Sequence, residues 1–370
     1  MRGRSESQTS MFCLLNPEDL IPSDHPLRGI KEVADEALKS IDETLSGMYG
    51  SNGRPSIPPE RLLKSMLLMA LYSIRSDRQL REQIQYNMLF RWFLDMTMTE
   101  PVFDRTVLSH NRERLIEHDV ARALFGAIVD QAREAQLLSE EHFSVDGTLI
   151  EAWASMKSFG PREEDDDDDP KGPRGSNNRW ADFRNQKRSN KTHASTTDPD
   201  AKLMRKGRGR EAKLSYGAHA LMDNRHALIV DMRVTEANGT AERTAALEML
   251  GDLQGTQRVT VGADRGYDTR DFVANCRDMN VTPHVAQYNA KRKPGIRQSA
   301  IDRRTTRHVG YDISQIVRRN IEAAFGWTKK FGGLRRTRFK GRPRVTLDCT
   351  LIFAALNTLR VAKLCAPVAA

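Results

Sequence analysis

The chain has 370 residues and is 39% hydrophobic, long enough for roughly two domains and apolar enough to fill a sizeable core. Four cysteines (Cys13, Cys276, Cys349 and Cys365) lie scattered without paired spacing, which argues against a disulfide framework or zinc ribbon and suits a reducing cytosol. The net charge of +9 is uneven: from Lys291 to Arg344 seventeen Lys and Arg stand against Asp302, Asp312 and Glu322, so this segment carries +14 and the remainder −5.

The opening "MRGRSESQTSMF" has no long apolar region of the secretory kind, and "MLLMALY" and "LIFAAL" are far shorter than the ~20 residues of a membrane helix. Residues 26–136 read as helical. Stretches 25–45, 58–74 and 118–136 carry apolar residues at helical spacing, and Pro58-Pro59 opens the second in the manner of a first-turn proline. Shorter helical pieces between them display Arg78, Arg81, Arg105, Arg112 and Arg114. They fit a helix-turn-helix module and an ordinary helical domain with surface arginines equally well.

After Leu138 the pattern turns to strands. "HFSVDGT" is an apolar run ending in Asp146, and "AKLSYGAHALMDNRHALIVDMRV" reads as a hairpin turning at Asp223-Asn224-Arg225. A helix over 241–253, the strand "RVTVGAD" ending in Asp264, a helix over 269–279, the short strand "TPHVAQ" and a long helix over 313–331 follow. The order predicts a mixed α/β sheet flanked by helices. Residues 155–210, with five consecutive aspartates from Asp165 to Asp169, lack apolar periodicity and read as a charged insertion in a loop.

Asp146 and Asp264 each follow an apolar strand and precede a glycine, so both are expected at neighbouring strand ends. In the late helix, Ile313, Ile316, Val317, Ala324, Trp327 and Phe331 form one apolar stripe, with Glu322 opposite and Arg318 and Lys329 on its side. Carboxylates gathered a few Å apart repel unless a cation intervenes. Mg²⁺ takes oxygen ligands and keeps positions for substrate phosphate, and two such ions activate a water or 3′-hydroxyl for in-line displacement. The basic segment suits a polyanion, because each phosphate neutralised releases counterions. Arg318 and Lys329 beside the glutamate, with Lys330, Arg335 and Arg336 further along, are the expected backbone contacts.

The stretches "VDGTLIEAWAS", "THASTTDPDAKLMRKGRGREAKLSYGAHALMDNRH", "VTEANGTAERTAA", "GADRGYDT" and "RRNIEAAFGWTKKFGGLRR" resemble a DDE transposase of bacterial insertion sequences, of the insertion-sequence-five-like (InsH-type) group. The last stretch matches the group's Tyr-Arg-Glu-Lys signature at Arg318, Glu322 and Lys329, with Gln315 in the tyrosine position. The resemblance implies an RNase H-like catalytic domain over 139–370, preceded by an all-α domain over 1–138 that binds DNA ends. It implies Asp146, Asp264 and Glu322 as catalytic metal ligands for two Mg²⁺, with Mn²⁺ as substitute. It further implies a cytoplasmic protein that binds terminal inverted repeats and target DNA as double strands, works as a homodimer in a synaptic complex and needs no membrane. The other readings are an RNase H-like nuclease that cuts without joining, and a transposase-derived DNA-binding protein without catalysis.

Overall fold

The computed structural model describes residues 17–50, 56–162, 189–207, 209–253, 257–288 and 298–366. Eight helices come first: α1 (Pro17–Leu20), α2 (Leu27–Ser40), α3 (Asp42–Gly47), α4 (Pro59–Leu71), α5 (Asp77–Tyr86), α6 (Met88–Phe93), α7 (Arg105–Glu117) and α8 (Val120–Glu134). Their starts are written in the sequence. Pro59 occupies the first turn of α4, Ser76 accepts the Gln79 N–H at 3.1 Å to cap α5, and Asp104 accepts the Thr106 N–H at 2.9 Å to cap α7. The expected helix over 25–45 is two helices that part at Ile41.

The second half runs β1 (His142–Glu151), β2 (Phe159–Pro161), β3 (His193–Ser195), β4 (Lys202–Arg205), β5 (Ala212–Asp223), β6 (Ile229–Glu236), α9 (Ala241–Gly251), β7 (Val259–Ala263), α10 (Arg270–Asp278), β8 (Val281–Val285), α11 (Arg303–Thr306), α12 (Val309–Val317), α13 (Asn320–Lys330) and α14 (Arg342–Cys365). β5 pairs antiparallel with β1 on one side. On its other side β4 takes residues 212–215 and β6 takes 216–222. β7 lies parallel to β1, and β8 parallel to β7. The order β6–β5–β1–β7–β8, antiparallel in its first three strands and parallel in its last, is that of an RNase H-like sheet, the mixed sheet that the order of elements predicted and the fold that the resemblance implied. The stretch 155–210, expected as a loop insertion, is corrected in its described parts: within it β2 and β3 form a separate two-stranded ribbon, and β4 joins the main sheet because it pairs with β5. The aspartates at 165–169 lie outside the described residues.

Side chains alternate between the two faces of the sheet. Val145, Leu221 and Val261 pack with Met249 of α9 and with Phe272 and Cys276 of α10. Ala220, Met222 and Ile150 face the other way, into a core shared with the N-terminal helices and α14. α14 packs on α2, α4, α7, α8, α13 and β6. Its 24 residues are long and apolar enough to cross a membrane by length and composition, but 72% of the apolar window is buried inside the protein. It is thus a core helix, several turns longer than the "LIFAAL" run suggested.

Three sequence expectations are corrected. β1 does not end near Asp146 but continues five residues to Glu151, because its pairing with β5 runs unbroken to Ser215. The helix over 313–331 is broken at Arg318–Arg319, where bonds tighten to the i→i+3 kind (Ile321 N–H to Arg318 O, 3.1 Å). That break divides the apolar stripe. Ala324 is buried under α13, but Ile313 and Ile316 of α12 are 54% and 65% exposed. Arg112, expected at the surface, is buried and grips both oxygens of Asp77 at 2.7 and 2.8 Å.

Asn357 shows how α14 holds the sheet. Its side chain is buried, accepting the Ile229 N–H at 3.0 Å and donating to the Ile229 carbonyl at 2.7 Å. Both groups belong to the first residue of β6. Asn357→Leu leaves both without partners, and each such buried group costs about 1–3 kcal/mol. A loss of about 2–5 kcal/mol is therefore expected in denaturant unfolding; a loss well below 1 kcal/mol would show that β6 does not depend on this contact.

Candidate active site

The pairs His142↔Thr260, Phe143↔Val261 and Ser144↔Gly262 define the register of β1 and β7. Carried two residues further, the same register sets Asp146 level with Asp264, on strands about 4.8 Å apart. There the two backbones separate. β7 stops at Ala263 and Asp264 turns into a short 3₁₀ segment, its Oδ1 accepting the Gly266 N–H at 2.7 Å. β1 runs on, so beyond Asp146 one of its edges has lost its neighbour. The segment 335–337 covers that edge at Glu151, whose N–H donates to the Arg335 carbonyl at 3.1 Å and whose carbonyl accepts from the Thr337 N–H at 2.9 Å.

Glycines allow the surrounding elements to close in. A Cβ at Gly262 would lie 3.3 Å from the Ser314 carbonyl oxygen and 3.4 Å from Arg318 Cβ, so the end of α12 rests directly on β7. The His284 ring nitrogen Nδ1 and Ser314 Oγ, 2.7 Å apart, tie the same helix to β8. The chain then enters α13 with Glu322 in its first turn, exposed, while Ile321 and Phe325 are buried. Further along α13, Lys329 Nζ donates to Thr148 Oγ1 on β1 at 2.5 Å.

Asp146 is half-buried, and its Oδ1 accepts the N–H of Gly147 at 2.8 Å. Burial is the main cause that lifts its carboxyl to about 7, against the pull of the Gly147 N–H. The negative charges of Asp264, Glu242 and Glu322 add to the rise. The three acids expected from the sequence therefore share one electrostatic environment. Among the described residues no group of three or more His, Cys, Asp or Glu side chains is placed to hold a metal ion; what links these acids in the structure is their electrostatic influence on Asp146.

Glu242 was not anticipated. α9 carries it to the residue after Asp146: a Cβ on Gly147 would lie 2.9 Å from Glu242 Cγ and 2.8 Å from His219 Nδ1. Gly147 is thus required by contact rather than by a turn. The signal was an acid at the second position of the helix that follows the third sheet strand in "NGTAERTAA", indistinguishable in sequence from an ordinary first-turn acid.

Among the described residues two buried polar atoms next to these acids have no hydrogen-bond partner: Tyr267 Oη and His219 Nδ1. Both residues are almost fully buried. The Tyr267 ring stands edge-on to Phe272 at 5.2 Å, and its hydroxyl is raised well above its ordinary value by burial and then by Glu242, Asp146 and Asp264. Burial depresses His219 to about 4, so it is neutral at neutral pH. Buried polar groups normally have partners, and an orphan hydroxyl among carboxylates suits a site that takes a hydrated cation. The all-oxygen donor set fits Mg²⁺ or Mn²⁺.

The cations fall in two groups. Lys329 is half-buried beside Thr148, and burial followed by the charges of Lys206 and Arg335 lowers its pKa, so these three share one positive field near Asp146. Arg318 Nε donates to Gln315 Oε1 at 3.0 Å, and Gln315 Nε2 donates to the His284 carbonyl at 2.5 Å. Gln315, in the tyrosine position of the signature, thus anchors Arg318 to β8. Arg335 and Arg336 are exposed at the covered edge of β1. Arg336 lies 5.7 Å from the Trp153 ring centre and donates to the Trp153 carbonyl at 3.1 Å. Lys330 is exposed and lies over the Phe331 ring at 5.2 Å, with no described contact to the acids.

Two family models match the chain. Residues 15–114 match "Transposase domain (DUF772)" and residues 187–358 match "Transposase DDE domain". Asp264 and Glu322 lie within the second match, whereas Asp146 lies between the two. Neither names the InsH-type group. Among solved structures, the chain is similar to the piggyBac transposase in a synaptic complex with hairpin DNA, at 10% identity and a TM-score of 0.42 over 91% of this chain and 74% of that one. It is also similar to the Mos1 mariner transposase in a paired-end complex with Mn, at 11% identity and a TM-score of 0.20 over 93% of this chain and 97% of that one.

The raised carboxyl of Asp146 sets a pH dependence in metal-free protein. Below about pH 4 the group is protonated whether folded or unfolded and costs nothing. Between about 4 and 7 only the unfolded chain ionises, so stability falls as pH rises, and above 7 the penalty is complete. Asp146→Asn removes that penalty. Without divalent cations it should raise Tm by several degrees at pH 8 and leave it unchanged at pH 4. An equal shift at both pH values would show that the ionisation of Asp146 is not its cause.

Proposed function

This chain belongs to the DDE transposases, and on that footing we propose that it binds the terminal inverted repeats of an insertion sequence, cleaves DNA there and joins the ends to a target. The observation that carries the reading is the β1–β7 register, which sets Asp146 level with Asp264 where the parallel strand stops, with Glu322 in the same electrostatic environment. In this reading these three residues hold two Mg²⁺, or Mn²⁺ in their place. When bound, such ions activate a water or a 3′-hydroxyl and stabilise the leaving oxygen of an in-line displacement at phosphorus.

The remaining roles fall to residues around the acids. The rigid pairing of β1 with β5 keeps Asp146 in place while charge develops at the phosphate. Lys329, Arg318, Arg335 and Arg336 hold the DNA backbone, with Lys330 at the outer margin. Because phosphate contacts position a duplex without reading it, recognition of the ends is assigned to the helices before residue 138. Arg78, Arg81 and Arg105, exposed on α5 and α7, are available for it, whereas Arg112 serves the core. Two copies of the chain would bring the two ends together in a synaptic complex.

Incubation of the protein with Mg²⁺ and its element's end DNA tests the activity. Joined products are expected; nicks alone would indicate a nuclease, and a gel shift without cutting a binding protein. Asp146→Asn, Asp264→Asn and Glu322→Gln should each reduce cleavage to below a few per cent of the native rate with end binding nearly intact. Any variant that keeps more would remove its residue from the site.

A second measurement addresses the cations. Changing Arg335 and Arg336 together to Ala should weaken binding to end DNA and random DNA by similar factors and lower the salt slope by roughly one unit per lost phosphate contact. A loss confined to the inverted repeat would instead give sequence reading to this segment.

A further inference from the structure

We propose that Glu242 is a fourth carboxylate of the metal site, a ligand that α9 contributes from the face of the sheet opposite α13. The inference rests on the catalytic reading of Asp146, Asp264 and Glu322 and adds a residue to it.

The first support is position. Glu242 lies against Gly147, the residue after Asp146, so closely that a side chain at 147 would collide with its Cγ. Val145 and Gly147 look toward α9, while Thr148, one residue on, meets Lys329 of α13. The two helices therefore approach the same few residues of β1 from opposite sides, at the level where β7 has ended. An acid on each side brackets the gap that Asp146 and Asp264 share.

The second support is the want of a competing role. An acid in the first turn of a helix ordinarily serves the helix end, worth about 0.3–1 kcal/mol. Here that end is already served by Asn238, whose Oδ1 accepts the N–H groups of Thr240 and Ala241 at 2.9 and 2.6 Å. Nor does an ion pair hold Glu242 among the described residues. Its neighbour Arg243 turns its guanidinium to the carbonyls of Gly239 and Gly266, at 3.2 and 3.3 Å. Much of the Glu242 side chain is exposed, yet burial of its carboxyl and then the Asp264 charge raise its pKa.

The third support is a pair of buried polar atoms. Tyr267 Oη is fully buried and without a partner among the described residues, and Tyr267 belongs to the short 3₁₀ turn that Asp264 caps. His219 Nδ1, also unpartnered, lies beside the same point above Gly147. One orphan atom thus lies beside Glu242 at Gly147 and the other belongs to the turn that carries Asp264, and water on a bound cation would give both partners.

The test is Mn²⁺ binding to the full-length, metal-free chain, followed by electron paramagnetic resonance of free Mn²⁺ and by the Mn²⁺-induced rise in Tm. Glu242→Gln should weaken Mn²⁺ binding about tenfold or more and reduce the rise in Tm, with a metal-free Tm equal to the native value or higher because one repelling charge is gone. Asp146→Asn is the reference variant. If Asp146→Asn loses Mn²⁺ while Glu242→Gln binds as native, Glu242 lies outside the site and the three-acid reading stands. If neither variant changes binding, that reading itself fails. A Glu242→Gln protein with native affinity and a lowered metal-free Tm would assign the residue to the helix end and overturn the proposal.

Discussion

β7 stops at Ala263 while β1 continues to Glu151, and the rest of the site depends on that mismatch in strand length. Where parallel pairing is tightest, Phe143 and Ser144 of β1 and Val261 and Gly262 of β7 are all buried. Where it ends, β1 keeps its partner β5 and stays rigid but presents one unpaired edge. Asp146 and Asp264 stand at that step, the last level at which the register can bring two side chains together. Rigidity matters because the carboxylates repel. On a mobile loop they could move apart, but here the β1–β5 ladder fixes the backbone at Asp146 and the short turn fixes it at Asp264; in the proposed reading a cation would then draw the two side chains together.

The surrounding helices extend the same arrangement. α12 rests on Gly262 and delivers Arg318, the tightened turn at Arg318–Arg319 redirects the chain, and α13 then offers Glu322 and Lys329 to β1. α14 lies behind, packed on both the N-terminal helices and β6. Through it the N-terminal helices and the sheet share one core, so in the proposed reading DNA held by the helices would have a fixed relation to the acids on the sheet.

Much of this was legible in the sequence because the relevant signals are local. Apolar runs ending in Asp-Gly or Asp-Arg-Gly located Asp146 and Asp264, the alternation from Leu228 to Val234 gave the hairpin, and Arg318, Glu322 and Lys329 stood at recognisable spacing. What could not be read depends on distant partners. β1 runs past Asp146 because β5 pairs with it there, and residues 142–148 alone carry no sign of that. Arg112 looks like a surface arginine until Asp77 is brought against it. The stripe through Ile313 and Ile316 has helical period, but a turn tightened by tertiary packing on β7 rotates those residues into solvent. Glu242 is hidden for the same reason: its relation to Gly147 exists only once α9 lies across the sheet.

Diffraction from crystals of the protein grown or soaked with Mn²⁺, recorded at the manganese absorption edge, tests the central claim most directly. The account predicts two anomalous peaks about 3.5–4 Å apart in the gap between Asp146 and Asp264, with Glu322 among the ligands. Manganese bound elsewhere on the protein, with those carboxylates free of metal at saturating concentration, would contradict it.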